Sequence, residues 1–113
     1  MKGTVVGDVA LVMDTADDVA TALDDLSAGE TLPPTEGTPV DTSLELREDV
    51  PFGHKIAIRR IGAGDEVRKY GEVIGRATVA IDPGEWVHTH NCESTRGRGD
   101  LAAAGAETGG ENA

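Results

Sequence analysis

Aromatic side chains are nearly absent from this chain: Phe52, Tyr70 and Trp86 are its only three in 113 residues. A stacking platform for single-stranded nucleic acid needs more than that, so this class of partner is excluded. Any core must therefore be assembled from Val, Ile, Leu and Ala. Positive charge is also short. Ten Lys plus Arg face 21 Asp plus Glu, a formal net charge of -11 that repels phosphate backbones and anionic lipid headgroups alike. Apolar runs such as Val9 to Met13 fall far short of the ~20 residues of a bilayer span. With nucleic acid and membrane set aside, a small-molecule or protein partner remains. The single cysteine, Cys92, has no internal disulfide partner, in keeping with a reducing compartment. Asp8 arrives before any export-type apolar region develops, so the expected location is the cytoplasm.

What is present is the composition of one small domain of 11.7 kDa. High acidity with only Lys2, Lys55 and Lys69 as lysines suits a salt-rich cytoplasm, although an ordinary acidic protein has the same signature. Thr4 to Met13 is β-branched and apolar and reads as a strand or hairpin arm. Asp14 or Thr15 can then cap a helix. Ala16, Val19, Ala20, Leu23 and Leu26 recur at helical spacing, Asp17, Asp18, Asp24 and Asp25 face water, and Gly29 stops the element. Pro33 to Pro39 reads as a surface loop. The alternation Val40, Thr42, Leu44, Leu46 predicts a half-buried strand, and His54 to Arg59 a further short one.

A repeat organises the chain more sharply than any of these elements. Leu26-Ser27-Ala28-Gly29-Glu30-Thr31-Leu32, Ile61-Gly62-Ala63-Gly64-Asp65-Glu66-Val67 and Ile81-Asp82-Pro83-Gly84-Glu85-Trp86-Val87 share one pattern. Each reads apolar, any residue, Ala or Pro, Gly, acid, any residue, apolar. Ala or Pro followed by Gly suits a type II turn, whose third position needs a positive φ. Tight turns that redirect short strands imply a mostly β domain with one short helix. From Thr95 onward, Gly, Ala and Glu leave nothing for a core, so residues 95–113 are expected to form a disordered tail.

The chemistry-bearing cluster is Trp86-Val87-His88-Thr89-His90-Asn91-Cys92. On a strand, His88 and His90 share one face and suit a divalent metal, though such a pair can equally be structural. Asn91 can orient a ligand or an imidazole by hydrogen bonding. His54-Lys55 follows Gly53, and Lys69-Tyr70 precedes Gly71, so two of the few lysines sit beside glycines in strand context, which favours anion binding, with solvated strand-end charges as the alternative. Cys92 reads as a small buried thiol, with a metal ligand or nucleophile as the alternative. No nucleophilic triad, phosphate loop or dinucleotide fingerprint is present.

These segments resemble a known family. Gly53-His54-Lys55-Ile56-Ala57-Ile58, Ile61 with Ala63-Gly64, Lys69 to Ala77, and Trp86-Val87-His88-Thr89-His90-Asn91 are similar, in order over about residues 8–94, to the SAF domain of the altronate and galactarate dehydratases. Asp18 to Leu23 is similar to that family's first helix. The resemblance implies a single β-clip domain over residues 1–94. It further implies a small subunit of a sugar-acid dehydratase whose large catalytic part is a separate polypeptide, with a homo-oligomer also open. On this reading His88 and His90 are metal ligands or substrate contacts. His54, Lys55, Tyr70 and Asn91 contact substrate, a divalent metal (Fe2+, Mn2+ or Mg2+) assists β-elimination of water, and the general base lies on the large subunit. Small subunits of sulfolactate sulfo-lyases are similar too, so sulfite is an alternative leaving group. A non-catalytic sugar-acid binding or interaction module is the remaining alternative.

Overall fold

The structure, a computed structural model, describes residues 3–95. It is built from ten short strands: β1 (Thr4–Val6), β2 (Ala10–Val12), β3 (Val19–Ala22), β4 (Thr31–Leu32), β5 (Leu44–Glu45), β6 (Lys55–Ala57), β7 (Glu66–Lys69), β8 (Glu72–Ala77), β9 (Trp86–Val87) and β10 (Cys92–Ser94). They form a five-stranded antiparallel sheet in the order β1-β2-β3-β6-β9, a three-stranded sheet β10-β8-β7 and a two-stranded sheet β4-β5. The mostly β class is as the sequence implies. Among the described residues no helix is long and apolar enough to cross a membrane. The tail expected from residue 95 lies, beyond Thr95 itself, outside the described residues.

The five-stranded sheet divides the core. Ala20, Ala22 and Ile56 turn to one side, where they pack with Leu32, Leu46 and Val50 under the β4-β5 pair. Val19, Ala57 and Val87 turn to the other and meet Val67 and Ala77 of the three-stranded sheet. Covered on both faces, β3 shows no clean alternation. That is why the helix expected over residues 15–28 is absent. Val19–Ala22 is instead a strand paired with both β2 and β6, because tertiary burial on two faces outweighs local propensity. The same misreading placed Asp17 in water, whereas it is 0% exposed. Of the strand expected over 40–47 only Leu44–Glu45 pairs, against β4.

The three repeat copies are type II-like turns with Gly29, Gly64 and Gly84 at φ of 94°, 86° and 95°. In each, the acid's N–H closes the turn: Glu30 to Ser27 O at 3.1 Å, Asp65 to Gly62 O at 3.0 Å, Glu85 to Asp82 O at 3.1 Å. Its carboxylate then accepts from the first turn residue's N–H, at Ser27, Gly62 and Asp82. The structure adds a fourth copy, Val50-Pro51-Phe52-Gly53-His54-Lys55-Ile56, closed by His54 N to Pro51 O at 3.1 Å with Gly53 at φ 80°. Pro51 has no N–H for a carboxylate to satisfy, so position 54 is released from the capping task and carries an imidazole.

All four turns dock alike. The glycine N–H donates to a distant strand at 2.8 Å (Gly29 to Leu46, Gly53 to Ala22, Gly64 to Ala77, Gly84 to Ala57), and that strand residue's N–H returns a bond to the carbonyl of Glu30, His54, Asp65 or Glu85. The leading apolar residues pair as bridges, Leu26 with Val50 and Ile61 with Ile81. At Gly84 a Cβ would run into the Glu45 carbonyl, so both the φ and the space demand glycine.

Candidate functional site

A cleft of about 350 Å³ opens between the end of β9 and the β7-β8 hairpin, lined by Lys55, Lys69, Tyr70, Ile74, His88, Thr89, Cys92 and Ser94. Three segments distant in sequence supply it, Lys55, residues 69–74 and residues 88–94, and each is placed by backbone geometry. Lys55 opens β6 directly after the fourth turn and pairs with both Thr21 and Val87. Lys69 and Tyr70 stand at the tip of the β7-β8 hairpin. There Tyr70 at φ 60° and Gly71 at φ 73° form the two-residue turn of type I′. Tyr70 is exposed, and Lys69 Nζ lies 4.9 Å from its ring centroid. In a chain of net charge -11, two lysines converge on one cleft. Among the described residues the ion pairs all involve arginines (Arg47 and Arg60 with Asp82, Arg68 with Glu66), which leaves both ammonium groups to the cleft.

The segment 88–91 is a tight turn: the strand stops at Val87, so His88 and His90 do not share a strand face as expected. Instead the three imidazoles surround one indole. His88 stacks on Trp86 (5.3 Å between centroids, 11° between planes), His54 meets both Trp86 and His88 edge-on (5.7 and 5.1 Å), and His90 tilts against Trp86 at 5.4 Å. A carbonyl only accepts, so the 3.0 Å contact of His54 Nδ1 with Phe52 O assigns the proton to Nδ1 and leaves Nε2 open. Burial lowers the His88 pKa below its ordinary 6.5, with further lowering by the neighbouring His54, Lys55 and His90 charges, which favours the neutral imidazole. Asn91 is 3% exposed, and its amide is spent on the turn: Oδ1 accepts from His88 N at 2.9 Å and Nδ2 donates to Trp86 O at 2.8 Å. Burial pushes the Cys92 thiol up, against a smaller opposite pull from Lys55, so it stays protonated at neutral pH and is a poor nucleophile.

Of the residues expected from sequence, Lys55, Tyr70 and His88 therefore line the cleft. His54 touches His88 from beside it, His90 lies on the Trp86 side, and Asn91 holds the loop from within. Among the described residues no three His, Cys, Asp or Glu side chains gather as a metal site. Among the described residues, then, a divalent metal finds no complete donor set. Sequence reasoning passed over Thr89, Ser94 and Ile74, which carry no motif of their own.

Comparison with known proteins decides the family. Residues 8–95 match the family model described as the altronate/galactarate dehydratase SAF domain. The chain belongs to this family. It is 45% identical over 56 residues to the (2R)-sulfolactate sulfo-lyase subunit alpha of Paracoccus pantotrophus, covering 50% of this chain and 84% of that subunit. It is 38% identical over 78 residues to the altronate dehydratase of Bacillus subtilis (strain 168), covering 69% of this chain and 15% of that enzyme. With the altronate dehydratase of Escherichia coli (strain K12), identity is 44% over 75 residues, or 66% of this chain and 14% of that enzyme. The SAF domain relatives are thus dehydratases and lyases, of which this chain spans either most of a subunit alpha or about 15% of an altronate dehydratase.

Proposed function

We propose that this SAF-domain chain is the small subunit of a hydro-lyase of the altronate/galactarate type, eliminating water from a hydroxy acid together with a separate large subunit. The observation that carries this reading is the gathering of Lys55, Lys69, Tyr70 and His88 around one open cleft in a strongly acidic chain. Two ammonium groups and a phenol suit a carboxylate, and the neutral His88 can exchange a hydrogen bond with a substrate hydroxyl. In the elimination a base takes the proton from the carbon bearing the carboxylate, the electron pair forms the new C=C bond, and the C–O bond on the neighbouring carbon breaks. The departing hydroxyl takes up a proton and leaves as water. The base is assigned to the large subunit. A metal that stabilises the carboxylate-side charge would draw most of its donors from that subunit too, with His88 or His90 adding at most part of the shell.

A second reading has its own support: this chain's match spans 84% of the sulfo-lyase subunit alpha of Paracoccus pantotrophus. The same cleft would then hold the carboxylate while sulfite departs. Co-expression with a large subunit, followed by assays of 2-keto acid formation from altronate and galactarate and of sulfite release from sulfolactate, separates the two. Dehydration by the complex and none by the isolated chain is expected. Lys55→Ala with Lys69→Ala should raise KM about 10- to 100-fold, the value of losing a charge-assisted hydrogen bond. Turnover by the isolated chain, or an unchanged KM, overturns the proposal, and ligand binding without turnover points to a binding module.

A further inference from the structure

Asp17 has the most deeply buried carboxylate among the described residues, and the elimination chemistry makes no use of it. All its hydrogen bonds are to backbone N–H groups: Oδ2 accepts from Asp14 N at 3.1 Å and Tyr70 N at 3.1 Å, and Oδ1 accepts from Gly71 N at 2.8 Å. Two of those three donors are the central residues of the turn that presents Lys69 and Tyr70 to the cleft. The neighbouring Asp18 fixes the same hairpin one step earlier, accepting from Arg68 N at 2.8 Å.

The turn needs this support. Type I′ turns place both central residues at positive φ, which favours Asn, Asp or Gly at the first position. The β1-β2 hairpin obeys that preference with Gly7-Asp8, at φ 59° and 63°. Tyr70 does not, since a bulky side chain at φ 60° is a genuine outlier. Local sequence alone would let the chain at Tyr70-Gly71 relax, and such strain persists only where surroundings over-determine it. Two bonds from one rigid, buried carboxylate supply that constraint.

We propose that Asp17 is a positioning residue for the anion cleft: its carboxylate clamps the Tyr70 and Gly71 amides and so sets where Lys69 and Tyr70 meet the ligand. The ligand class, a hydroxy acid, rests on the function proposed above. The clamp itself does not.

The full chain, labelled with ¹⁵N, tests it through two readouts. In Asp17→Asn, which removes one acceptor oxygen, amide exchange should accelerate at Tyr70 and Gly71 while Ile56 and Ala20 of the central sheet stay protected. Titration with tartrate, a simple hydroxy diacid, should show the dissociation constant at Lys69 and Tyr70 rising about tenfold, a loss of about 1.4 kcal/mol. Gly71→Ala reaches the same clamp from the other side. Its Cβ would sit 3.1 Å from Asp14 Oδ2 at a φ that alanine avoids, and it gives the same two changes if Asp17→Asn does not fold. Val6→Ala, a core truncation, should lower the melting temperature without altering tartrate affinity. The proposal is overturned if exchange at Tyr70 and Gly71 is unchanged, if Val6→Ala weakens tartrate as much, or if the wild-type chain binds no tartrate. Turnover by the wild-type complex is scored separately, so a missing lyase activity sinks the proposed function and leaves the clamp standing.

Discussion

His88 illustrates how single residues in this site are tuned by company. Desolvation first, and then the positive charges of His54, Lys55 and His90, hold its pKa below 6.5 in the folded chain. The unfolded chain, at about 6.5, binds the proton more tightly, so unfolding takes up a proton between the two values. Stability from this group is therefore complete above pH 6.5 and is lost as pH falls through the folded pKa. A ¹H-¹⁵N titration of the His88 ring should give a midpoint below 6.5. Lys55→Gln should raise that midpoint only partly, because burial is the larger cause. A midpoint at or above 6.5 would refute the account. The residues legible in sequence were those whose neighbours in the chain already announced them, Lys55 after Gly53-His54 and Tyr70 before Gly71. The backbone-holding roles of Asn91 and Asp17 were not legible, for the opposite reason. Their roles are decided by backbone amides they meet only after folding, His88 and Trp86 for one, Tyr70 and Gly71 for the other.

At the scale of elements, the turn repeat was legible because its glycine and its flanking apolar residues obey backbone rules that need no tertiary context. The fourth copy was hidden because Phe52 stands where the others have Ala or Pro and His54 where they have an acid, the second an exchange that Pro51 makes harmless. Asp65→Ala leaves Gly62 N–H without its acceptor and should cost about 0.5–1.5 kcal/mol, the net worth of one such bond. That corresponds to a melting temperature lower by roughly 4–8 °C per kcal/mol. His54→Ala removes no such cap, because Pro51 has no N–H, and its loss comes instead from the Nδ1 bond to Phe52 O and the ring contacts with Trp86 and His88. An unchanged calorimetric midpoint for Asp65→Ala would refute the capping role. The missing helix marks the converse limit. Ala16, Val19, Ala20, Leu23 and Leu26 satisfy a helical period, but a strand buried on both faces needs no period at all, and only the arrival of β2 and β6 on its two edges decides between them.

For the whole molecule, charge and architecture pull against each other. Exposed ion pairs on Arg47, Arg60 and Arg68 contribute little, while a net charge of -11 repels itself across a small surface. Molar potassium chloride screens that repulsion and strengthens apolar burial, so the thermal midpoint should rise from dilute buffer to molar salt. A flat or falling midpoint in differential scanning calorimetry would count against it. The β-clip architecture meanwhile draws the cleft from β6, the β7-β8 hairpin, the loop after β9 and β10, segments that meet only on folding. One element of that cleft has an optical consequence. Trp86 is the only indole in the chain and lies against His54, His88 and His90. A protonated imidazole accepts an electron from an excited indole, and a neutral one far less readily. The intrinsic fluorescence of this protein is therefore a built-in gauge of the ring stacked on that indole, dimming as His88 gains its proton and changing when a ligand or a partner surface covers the cluster, with no label attached.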